Sequence, residues 1–246
     1  LFLVLVGAEW HKPERGLCAI MRALPLETAM TLAIFDLDNT LLAGDSDHAW
    51  GEYLIEQGHV DGAWYKAEND RFYSDYCRGE LDVIAYSEFV FSVLAREEPE
   101  TLAAWHAGFM AQKVSGMILP KGRDLLAKHR DAGHRLLIIT ATNRFITEPI
   151  ARELDVDTLI ATEPEMEGGR YTGKVKGIPC YQHGKIERLQ EWLTLNNESP
   201  EGCWFYSDSR NDIPLLEFAT HPVAVDPDEA LRAHAASNAW PVLSLR

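Results

Sequence analysis

A short apolar run that leads directly into two aspartates constrains this chain more than any other segment. The apolar residues are Ala33, Ile34 and Phe35, and they are followed by Asp36 and Asp38. A continuous apolar run of this kind is typical of a strand buried on both faces of a parallel sheet. The aspartates come at the carboxyl end of that strand, where open α/β sheets place their binding sites. The segment therefore predicts an α/β fold in which two carboxylates converge at one edge of a sheet.

Two carboxylates in one small volume impose a chemical condition. Asp36 and Asp38 cannot both stay ionised there unless a cation or a shared proton accompanies them. One carboxylate acting as a nucleophile, the other moving a proton, and a divalent metal between them would satisfy the condition. For the segment taken alone, a chance pair of aspartates in a turn is the alternative interpretation.

Three later segments also place polar side chains at the end of an apolar run or at the start of a helical pattern. Those side chains are Thr140 and Thr142, Lys185, and Asp208 with Asn211 and Asp212. Lys185 falls in the first turn of its predicted helix, where a lysine opposes the helix dipole. An anionic partner such as a phosphate would explain a lysine at that position.

Some of these side chains also have an interpretation without chemistry. Lys185 is then an exposed helix lysine paired with a nearby glutamate, and Lys174 or Lys176 is its rival for the phosphate. Thr140 is then a strand-end hydroxyl that caps the next turn, with Thr142 as the rival phosphate ligand.

Taken together and in this order, the four segments resemble the motifs of the haloacid dehalogenase (HAD) superfamily of phosphohydrolases, over about residues 31–226. The resemblance implies that Asp36 attacks phosphorus and forms an aspartyl-phosphate. It also implies that Asp38 protonates the leaving alcohol and later activates water. Mg²⁺ is then bound by Asp36, by Asp208 and by the main-chain carbonyl of Asp38.

The same resemblance implies roles for the remaining polar residues. Thr140 and Lys185 hold the phosphoryl oxygens, and Asp212 with Asn211 supports the metal-bound waters or the substrate. Dehalogenases of this superfamily lack an acid at the position of Asp38, because a halide leaves without a proton. The resemblance therefore favours phosphoryl transfer over cleavage of a carbon–halogen bond.

Strands that alternate with helices predict a doubly wound, mostly parallel, Rossmann-like sheet. Residues 45–115 have helical patterns and are too many for an ordinary loop after the first strand. They predict a small helical cap like that of the phosphoserine-phosphatase-like branch, with an α/β core at 30–44 and 116–246. The alternative is that these helices pack on the sheet as ordinary crossovers. A hairpin is predicted around Gly168 and Gly169.

The first 29 residues are expected to form an N-terminal extension outside the core. The alternative for residues 1–29 is a helix from about Cys18 to Ala29 that packs on the core. The apolar run at the start of this stretch is too short to span a bilayer. No membrane association is therefore expected.

The formal net charge of −15 disfavours binding to nucleic acids and to anionic membranes. The four cysteines are scattered along the chain, which predicts reduced thiols in a cytoplasmic protein. They are Cys18, Cys77, Cys180 and Cys203. The sequence does not indicate an oligomeric state.

The substrate is expected to be a small amino-alcohol phosphate. Asp45 matches the position at which phosphoserine phosphatases bind the substrate ammonium group, and it is also a candidate helix N-cap. The stretch from Asp36 to Trp50 resembles bacterial members of this branch described as histidinol phosphatases, so histidinol phosphate is the first expectation. Phosphoserine is the alternative, with Arg71, Arg78 or Arg96 meeting its carboxylate.

Three further possibilities remain open from the sequence. The enzyme hydrolyses another small-metabolite phosphomonoester, it transfers the phosphoryl group as a phosphotransferase or mutase, or the chain binds phosphate without turnover. The last is a protein of a different class. Activity with a generic aryl phosphate and Mg²⁺ would discriminate it from an enzyme.

Overall fold

A computed structural model describes residues 30–246 of the protein. The extension predicted for residues 1–29, its alternative helix and Cys18 lie outside the described residues. Within the described part, no helix is both long enough and apolar enough to cross a membrane. The three cysteines of this part, Cys77, Cys180 and Cys203, are free thiols.

In the part of the chain that the structure describes, seven strands form a single sheet. They are β1 (Leu32–Phe35), β2 (Arg135–Asn143), β3 (Thr158–Glu167), β4 (Arg170–Lys176), β5 (Trp204–Ser207), β6 (His221–Val225) and β7 (Val242–Leu243). Their order across the sheet is β4-β3-β2-β1-β5-β6-β7. Neighbouring strands are parallel except for the antiparallel pair of β3 and β4. The predicted mostly parallel α/β sheet is therefore confirmed.

Within residues 30–246, ten helices accompany the sheet. They are α1 (Ser46–Glu56), α2 (Gly62–Arg78), α3 (Val83–Leu94), α4 (Pro99–Phe109), α5 (Ser115–Met117), α6 (Pro120–Asp131), α7 (Arg144–Glu153), α8 (His183–Asn196), α9 (Ile213–Phe218) and α10 (Glu229–Ser237). A π-helical segment, Met110–Val114, joins α4 to α5, and a 3₁₀ turn, Arg210–Asp212, precedes α9.

The sheet is covered on both faces, as a doubly wound fold requires. Alternate residues of β1 point to opposite sides, so Ala33 and Phe35 join one apolar cluster while Leu32 and Ile34 join the other. The first cluster includes apolar residues of α6 and α7, and the second includes residues of α8, α9 and α10. Burial on both faces explains why β1 is a continuous apolar run.

Helices α1 to α4, called here the inserted helices, lie between β1 and β2 in the chain. Trp50 of α1 and Tyr65 of α2 belong to the same apolar cluster as Phe35 of the sheet. Helix α3 also contacts β4. The inserted helices thus share part of their core with the sheet. Their division from the core at 45–115 as a separate cap stays a prediction.

The predicted hairpin is present between β3 and β4. Gly168 and Gly169 form its two-residue turn, with φ of 57° and 82°. Positive φ at both positions is the conformation of a type I′ turn, which suits the twist of the flanking strands and favours glycine.

The strand order reverses at β1, which has β2 on one side and β5 on the other. The crevice beyond the carboxyl ends of strands at such a switch point is where open α/β sheets bind ligands. Asp36 follows β1 directly, and Asp208 follows β5 directly. The topology therefore brings the predicted site residues to one edge of the sheet.

Candidate active site

A buried lysine links two carboxylates at this edge. The Nζ atom of Lys185 donates to Oδ1 of Asp36 at 2.8 Å and to Oδ2 of Asp212 at 2.7 Å. The side chain of Lys185 is only 3% exposed. The interpretation of Lys185 as an exposed helix lysine is therefore wrong. Its position in the first turn of α8 is explained by anionic partners, which here include the protein's own carboxylates.

Asp212 has a second contact that fixes its orientation. The hydroxyl of Ser207, the last residue of β5, donates to Oδ2 of Asp212 at 2.7 Å. The same oxygen accepts from Lys185. The structure thus places Asp212 against the ammonium group of Lys185. The predicted set of site residues does not include Ser207, which the sequence shows only as a hydroxyl at a strand end.

Thr40 lies between the carboxylates that follow β1 and β5. Its Oγ1 is 3.4 Å from Oδ2 of Asp36 and 3.3 Å from Oδ1 of Asp208. It also accepts the backbone N–H of Asp208 at 3.1 Å. A hydroxyl has one proton to donate, so it cannot satisfy both carboxylates at once. Sequence reasoning missed this role, although a hydroxyl two residues after the acid pair was a signal.

Asp38 is held by two donors. Its Oδ1 accepts the backbone N–H of Ser46 at 2.6 Å, and its Oδ2 accepts the hydroxyl of Thr142 at 2.8 Å. Thr142, the rival of Thr140, is therefore tied to Asp38. The buried Oγ1 of Thr140 accepts the N–H of Thr142 at 3.2 Å, which is the local bond that the capping interpretation describes. The role of Thr140 as a phosphate ligand stays a prediction.

Burial and crowded negative charge shift the protonation of these groups. Burial raises the pKa of Asp36 to about 7 against the opposing charge of Lys185, and the charges of Asp212 and Asp38 add to the rise. Burial, followed by the charge of Asp45, raises the pKa of Asp38 to about 7. Burial likewise raises the pKa of Asp208 well above its usual value. One lysine does not neutralise so many carboxylates, so the site requires protons or a further cation.

The donors at this edge fit Mg²⁺. Asp36 and Asp208 each direct a carboxylate oxygen towards Thr40, and those oxygens lack a full set of hydrogen-bond donors. Across residues 30–246, no three Asp, Glu, His or Cys side chains are grouped as a ready-made metal site. Mg²⁺ does not need such a group, because it keeps several waters and is commonly held through one or two carboxylates. The side chains of Asp38 and Asp212 already accept hydrogen bonds from other residues.

Asp45 is the N-cap of α1. Its Oδ1 accepts the backbone N–H groups of Asp47 and His48 at 3.0 and 2.9 Å. The capping role that the sequence suggested for Asp45 is therefore present. Its side chain also lines the same cavity as Asp36 and Asp38. The substrate-binding role of Asp45 stays a prediction.

Two side-chain amides connect the end of α2 to the loops that carry the lysine and its partner. Nδ2 of Asn211 donates to the carbonyl of Tyr76 at 3.3 Å, and Nε2 of Gln182 donates to the carbonyl of Gly79 at 3.4 Å. The same Nε2 lies 3.2 Å from Oδ1 of Asn211. Asn211, predicted to support the metal waters or substrate, thus holds the inserted helices against the sheet edge. Nothing in the sequence indicated this role for Gln182. Its backbone has a positive φ of 48°.

A cavity of about 50 Å³ extends from Asp36 and Asp38 between the sheet edge and the inserted helices. It has room for several waters, since one water requires roughly 10–15 Å³ by this measure. Its wall is mainly aromatic on the side of the inserted helices, where it includes Phe72, Tyr73, Tyr76, Tyr86 and Phe91. This space, called here the central cavity, suits a small substrate.

The central cavity is lined by four acids and by His48, but by no lysine or arginine among the described residues. Arg71 and Arg78 are instead on the outer side of α2, where they pair with acids of their own neighbourhood. Arg96 is exposed. The arginines that the sequence offered for a substrate carboxylate do not line the cavity.

Comparison with known proteins identifies the family. The family model for haloacid dehalogenase-like hydrolases matches residues 33–217. The chain belongs to this family. A histidinol-phosphatase from Neisseria meningitidis serogroup C (strain 8013) is 45% identical over 219 residues, which cover 87% of this chain and 99% of the relative. The predicted family is thus confirmed, and the chain is a HAD-like phosphatase.

Two solved structures resemble this HAD-like phosphatase. A protein of unknown function from Bordetella pertussis Tohama I is 41% identical, with a TM-score of 0.84, and the match covers 89% of this chain and all 100% of the other. A phosphoserine phosphatase carrying a phospho-aspartyl intermediate analogue has a TM-score of 0.64 at 16% identity, covering 89% and 94% of the two chains. At that identity the second likeness shows the common fold alone.

Proposed function

We propose that this HAD-like phosphatase hydrolyses histidinol phosphate, a small amino-alcohol phosphate, through an aspartyl-phosphate on Asp36. The observation that carries the proposal is the pairing of a buried Asp36 with Lys185 at 2.8 Å, beside an Asp38 that two donors hold in place. This arrangement supplies a positioned nucleophile, a cation for the phosphoryl group and a separate carboxyl group for proton transfer.

The proposed reaction has two steps. In the first, a carboxylate oxygen of Asp36 bonds to phosphorus while the bond from phosphorus to the leaving oxygen breaks, and Asp38 gives that oxygen its proton. In the second, Asp38 takes a proton from a water that attacks phosphorus, and the bond to Asp36 breaks to release phosphate. Lys185 and Thr140 hold the phosphoryl oxygens in both steps. Phosphoryl transfer depends mainly on such positioning and charge neutralisation.

Mg²⁺ belongs to the proposal as a cofactor. Asp36, Asp208 and the main-chain carbonyl of Asp38 would hold it. When bound, it supplies positive charge that offsets the charge of the phosphoryl group. The hydrogen bonds that Asp38 accepts from Ser46 and Thr142 orient its side chain for proton transfer. Its main-chain carbonyl is then the expected ligand of Mg²⁺.

The charge of the central cavity supports an amino-alcohol leaving group. Asp45 lines the cavity, and the lining contains no described Lys or Arg. Phosphoserine carries a carboxylate that would be buried beside these acids without a lysine or arginine of its own, which is unfavourable. An amino-alcohol phosphate lacks that carboxylate and offers its ammonium group to Asp45. The relative named histidinol-phosphatase supports the same choice. A reduced, cytoplasmic setting without nucleic-acid or membrane partners accompanies the proposal as a prediction.

A phosphate-release screen with Mg²⁺ tests the proposal. The substrates are histidinol phosphate, phosphoserine, phosphoethanolamine and an aryl phosphate. We expect kcat/KM for histidinol phosphate to exceed that for phosphoserine by about a hundredfold, the effect of one unpaired buried charge. A preference for phosphoserine would show that phosphoserine, and not histidinol phosphate, is the substrate. Binding of phosphate without release from any ester would indicate the non-catalytic alternative, and label transfer to a second alcohol would indicate a phosphotransferase.

A further inference from the structure

Asp47 is a buried carboxylate without a full set of partners. It is the second residue of α1 and is only 7% exposed. Its Oδ1 has no hydrogen-bond donor among the described residues. Burial raises its pKa well above the usual value, the charge of Asp45 adds to the rise, and the hydroxyl of Tyr86 opposes it. A buried acceptor without a donor costs about 1–3 kcal/mol, and more when it is charged.

The contrast with Asp45 shows that helix capping does not account for Asp47. The Oδ1 of Asp45 accepts the N–H groups of Asp47 and His48 at the start of α1. Asp47 supplies one of those N–H groups through its backbone, while its side chain turns to the central cavity. A carboxylate oxygen that has no donor and lies at the wall of a cavity can accept a hydrogen bond from a ligand.

The two acids line the same cavity but differ in their place along the chain. Asp45 directly follows Gly44, whose carbonyl accepts the N–H of Asn39 at 2.9 Å, so the chain returns at Asp45 to the loop that follows Asp38. Asp47 lies two residues further along, in the first turn of α1. Asp45 is therefore the acid nearer along the chain to the loop of the reacting carboxylates.

Aromatic residues line the cavity into which Asp47 turns. Tyr86 adjoins the carboxylate, and Phe72 and Phe91 line the same cavity. Aromatic faces favour flat groups, and they attract cations through the ring quadrupole. A flat ligand group with an N–H donor and a positive charge would match both the wall and the orphaned oxygen.

We propose that Asp47 and its aromatic surroundings form a subsite for a planar, N–H-donating cationic ring of the leaving group, of the imidazolium class. Asp45 then binds the amine and Asp47 binds the ring. This inference rests on the proposed function, since an amino-alcohol phosphate with such a ring has its amine closer to phosphorus than its ring. It assigns ring specificity to a residue distinct from the amine-binding acid.

Asp47→Asn tests the subsite against substrates with and without the ring. We expect kcat/KM for histidinol phosphate to fall roughly ten- to a hundredfold, the range for a charge-assisted hydrogen bond, and that for phosphoethanolamine to change less than about threefold. Asp45→Asn should lower both. Asp82→Asn, at the exposed N-cap of α3, is the control for an aspartate-to-asparagine change and should lower neither.

Two further measurements keep the result interpretable. Asp47→Asn should be at least as stable as the wild type in thermal unfolding without ligand, because it removes an unpaired buried charge. If it fails to fold, Asp47→Ser replaces it in every assay. A titration with 4-methylimidazole, followed by NMR, tests ring binding without turnover. We expect roughly tenfold weaker binding in Asp47→Asn and no change in Asp45→Asn.

The outcomes separate this inference from the proposed function. Equal losses for the ring-bearing and ring-free substrates, or 4-methylimidazole binding that is the same in wild type and Asp47→Asn, would overturn the subsite. A wild type that prefers phosphoethanolamine would overturn histidinol phosphate as substrate, and the 4-methylimidazole titration would still decide the role of Asp47.

Discussion

The two ends of the central cavity differ in how their buried carboxylates are paired. At the phosphoryl end, Asp36 and Asp212 share the ammonium group of Lys185, and a serine hydroxyl holds Asp212 as well. At the far end, Asp47 has an oxygen without any donor among the described residues. At the first end the protein supplies a cation to two of its carboxylates, whereas at the second it leaves a carboxylate oxygen to be paired by a ligand.

The difference agrees with the roles proposed for the two ends. A reacting group must be held before the substrate arrives, because catalysis gains most from groups that need no reorganisation. A group that selects a substrate gains most from an interaction that only the right ligand completes. Removing a charged side chain should therefore lower activity or stability at the phosphoryl end, and should not lower stability at the far end. The following predictions test that contrast in order of decreasing effect.

Asp36→Asn should abolish turnover and leave the fold intact, because it removes the nucleophile but keeps its volume. We expect phosphate release to fall on the order of 10⁴-fold or more, as for loss of a nucleophile in other enzymes. Circular dichroism provides the check on folding. Beryllium fluoride with Mg²⁺ should form its adduct on Asp36 of the wild type. Release at the wild-type rate, or an adduct on another residue, would refute the covalent mechanism.

Lys185→Met should destabilise the protein strongly, because it leaves Asp36 and Asp212 buried without their cation. We expect the free energy of unfolding to fall by about 3–5 kcal/mol, the usual effect of breaking a buried pair. Denaturant unfolding measures it. Lys174→Met, at an exposed lysine of β4, is the matched control and should change stability little. Similar losses in both variants would show that the phosphoryl end does not depend on its internal pairs.

Removing Mg²⁺ with a chelator should stop phosphate release, and restoring it should recover the rate. Asp208→Ala should raise the Mg²⁺ concentration needed for half-maximal activity by roughly a hundredfold, since it deletes one of few protein ligands. A magnesium titration of activity measures the shift, and isothermal titration calorimetry measures binding directly. Full activity in chelator, or unchanged Mg²⁺ affinity in the variant, would exclude the proposed metal site.

Asp45→Asn should lower kcat/KM for histidinol phosphate by roughly ten- to a hundredfold, or about 1.4–3 kcal/mol, through loss of the charged partner of the amine. Asparagine is also a good N-cap, so α1 should keep its stability. Hydrolysis of an aryl phosphate without an amine should fall much less. If both substrates fall by the same factor, Asp45 acts only as the cap of α1.

Much of the fold followed from local patterns. The apolar run before Asp36, the alternation of strands and helices and the paired glycines of the hairpin predicted elements that the structure contains. The end of the chain was harder to predict. Helix α10 and the two-residue strand β7 had no counterpart in the prediction. A strand that short has too few residues for a periodic signal, and its pairing with β6 supplies what its sequence does not.

The partners of the site residues were less predictable than the residues themselves. Thr140 was the predicted phosphate ligand and Thr142 its rival, and the structure ties Thr142 to Asp38 and leaves Thr140 bonded to its own strand end. Asp212 was expected to support the metal waters or the substrate, and the structure shows that it accepts hydrogen bonds from Lys185 and Ser207. Thr40 and Gln182 were not in the predicted set, because a hydroxyl and an amide acquire a role only from what approaches them.

The sequence by itself determined that Asp36, Asp38 and Lys185 would lie at one edge of the sheet, because each occurs at an end of an element that its own pattern predicts. Only the tertiary structure decided how they are paired. Lys185 and Asp36 are 149 positions apart, and Thr142 and Asp38 are 104 apart, so no local pattern relates them. The choice of partner depends on distances of 2.8 Å that arise when β1, β2 and α8 converge on one edge of the sheet. The unpaired oxygen of Asp47 likewise depends on which donors the fold leaves out of reach.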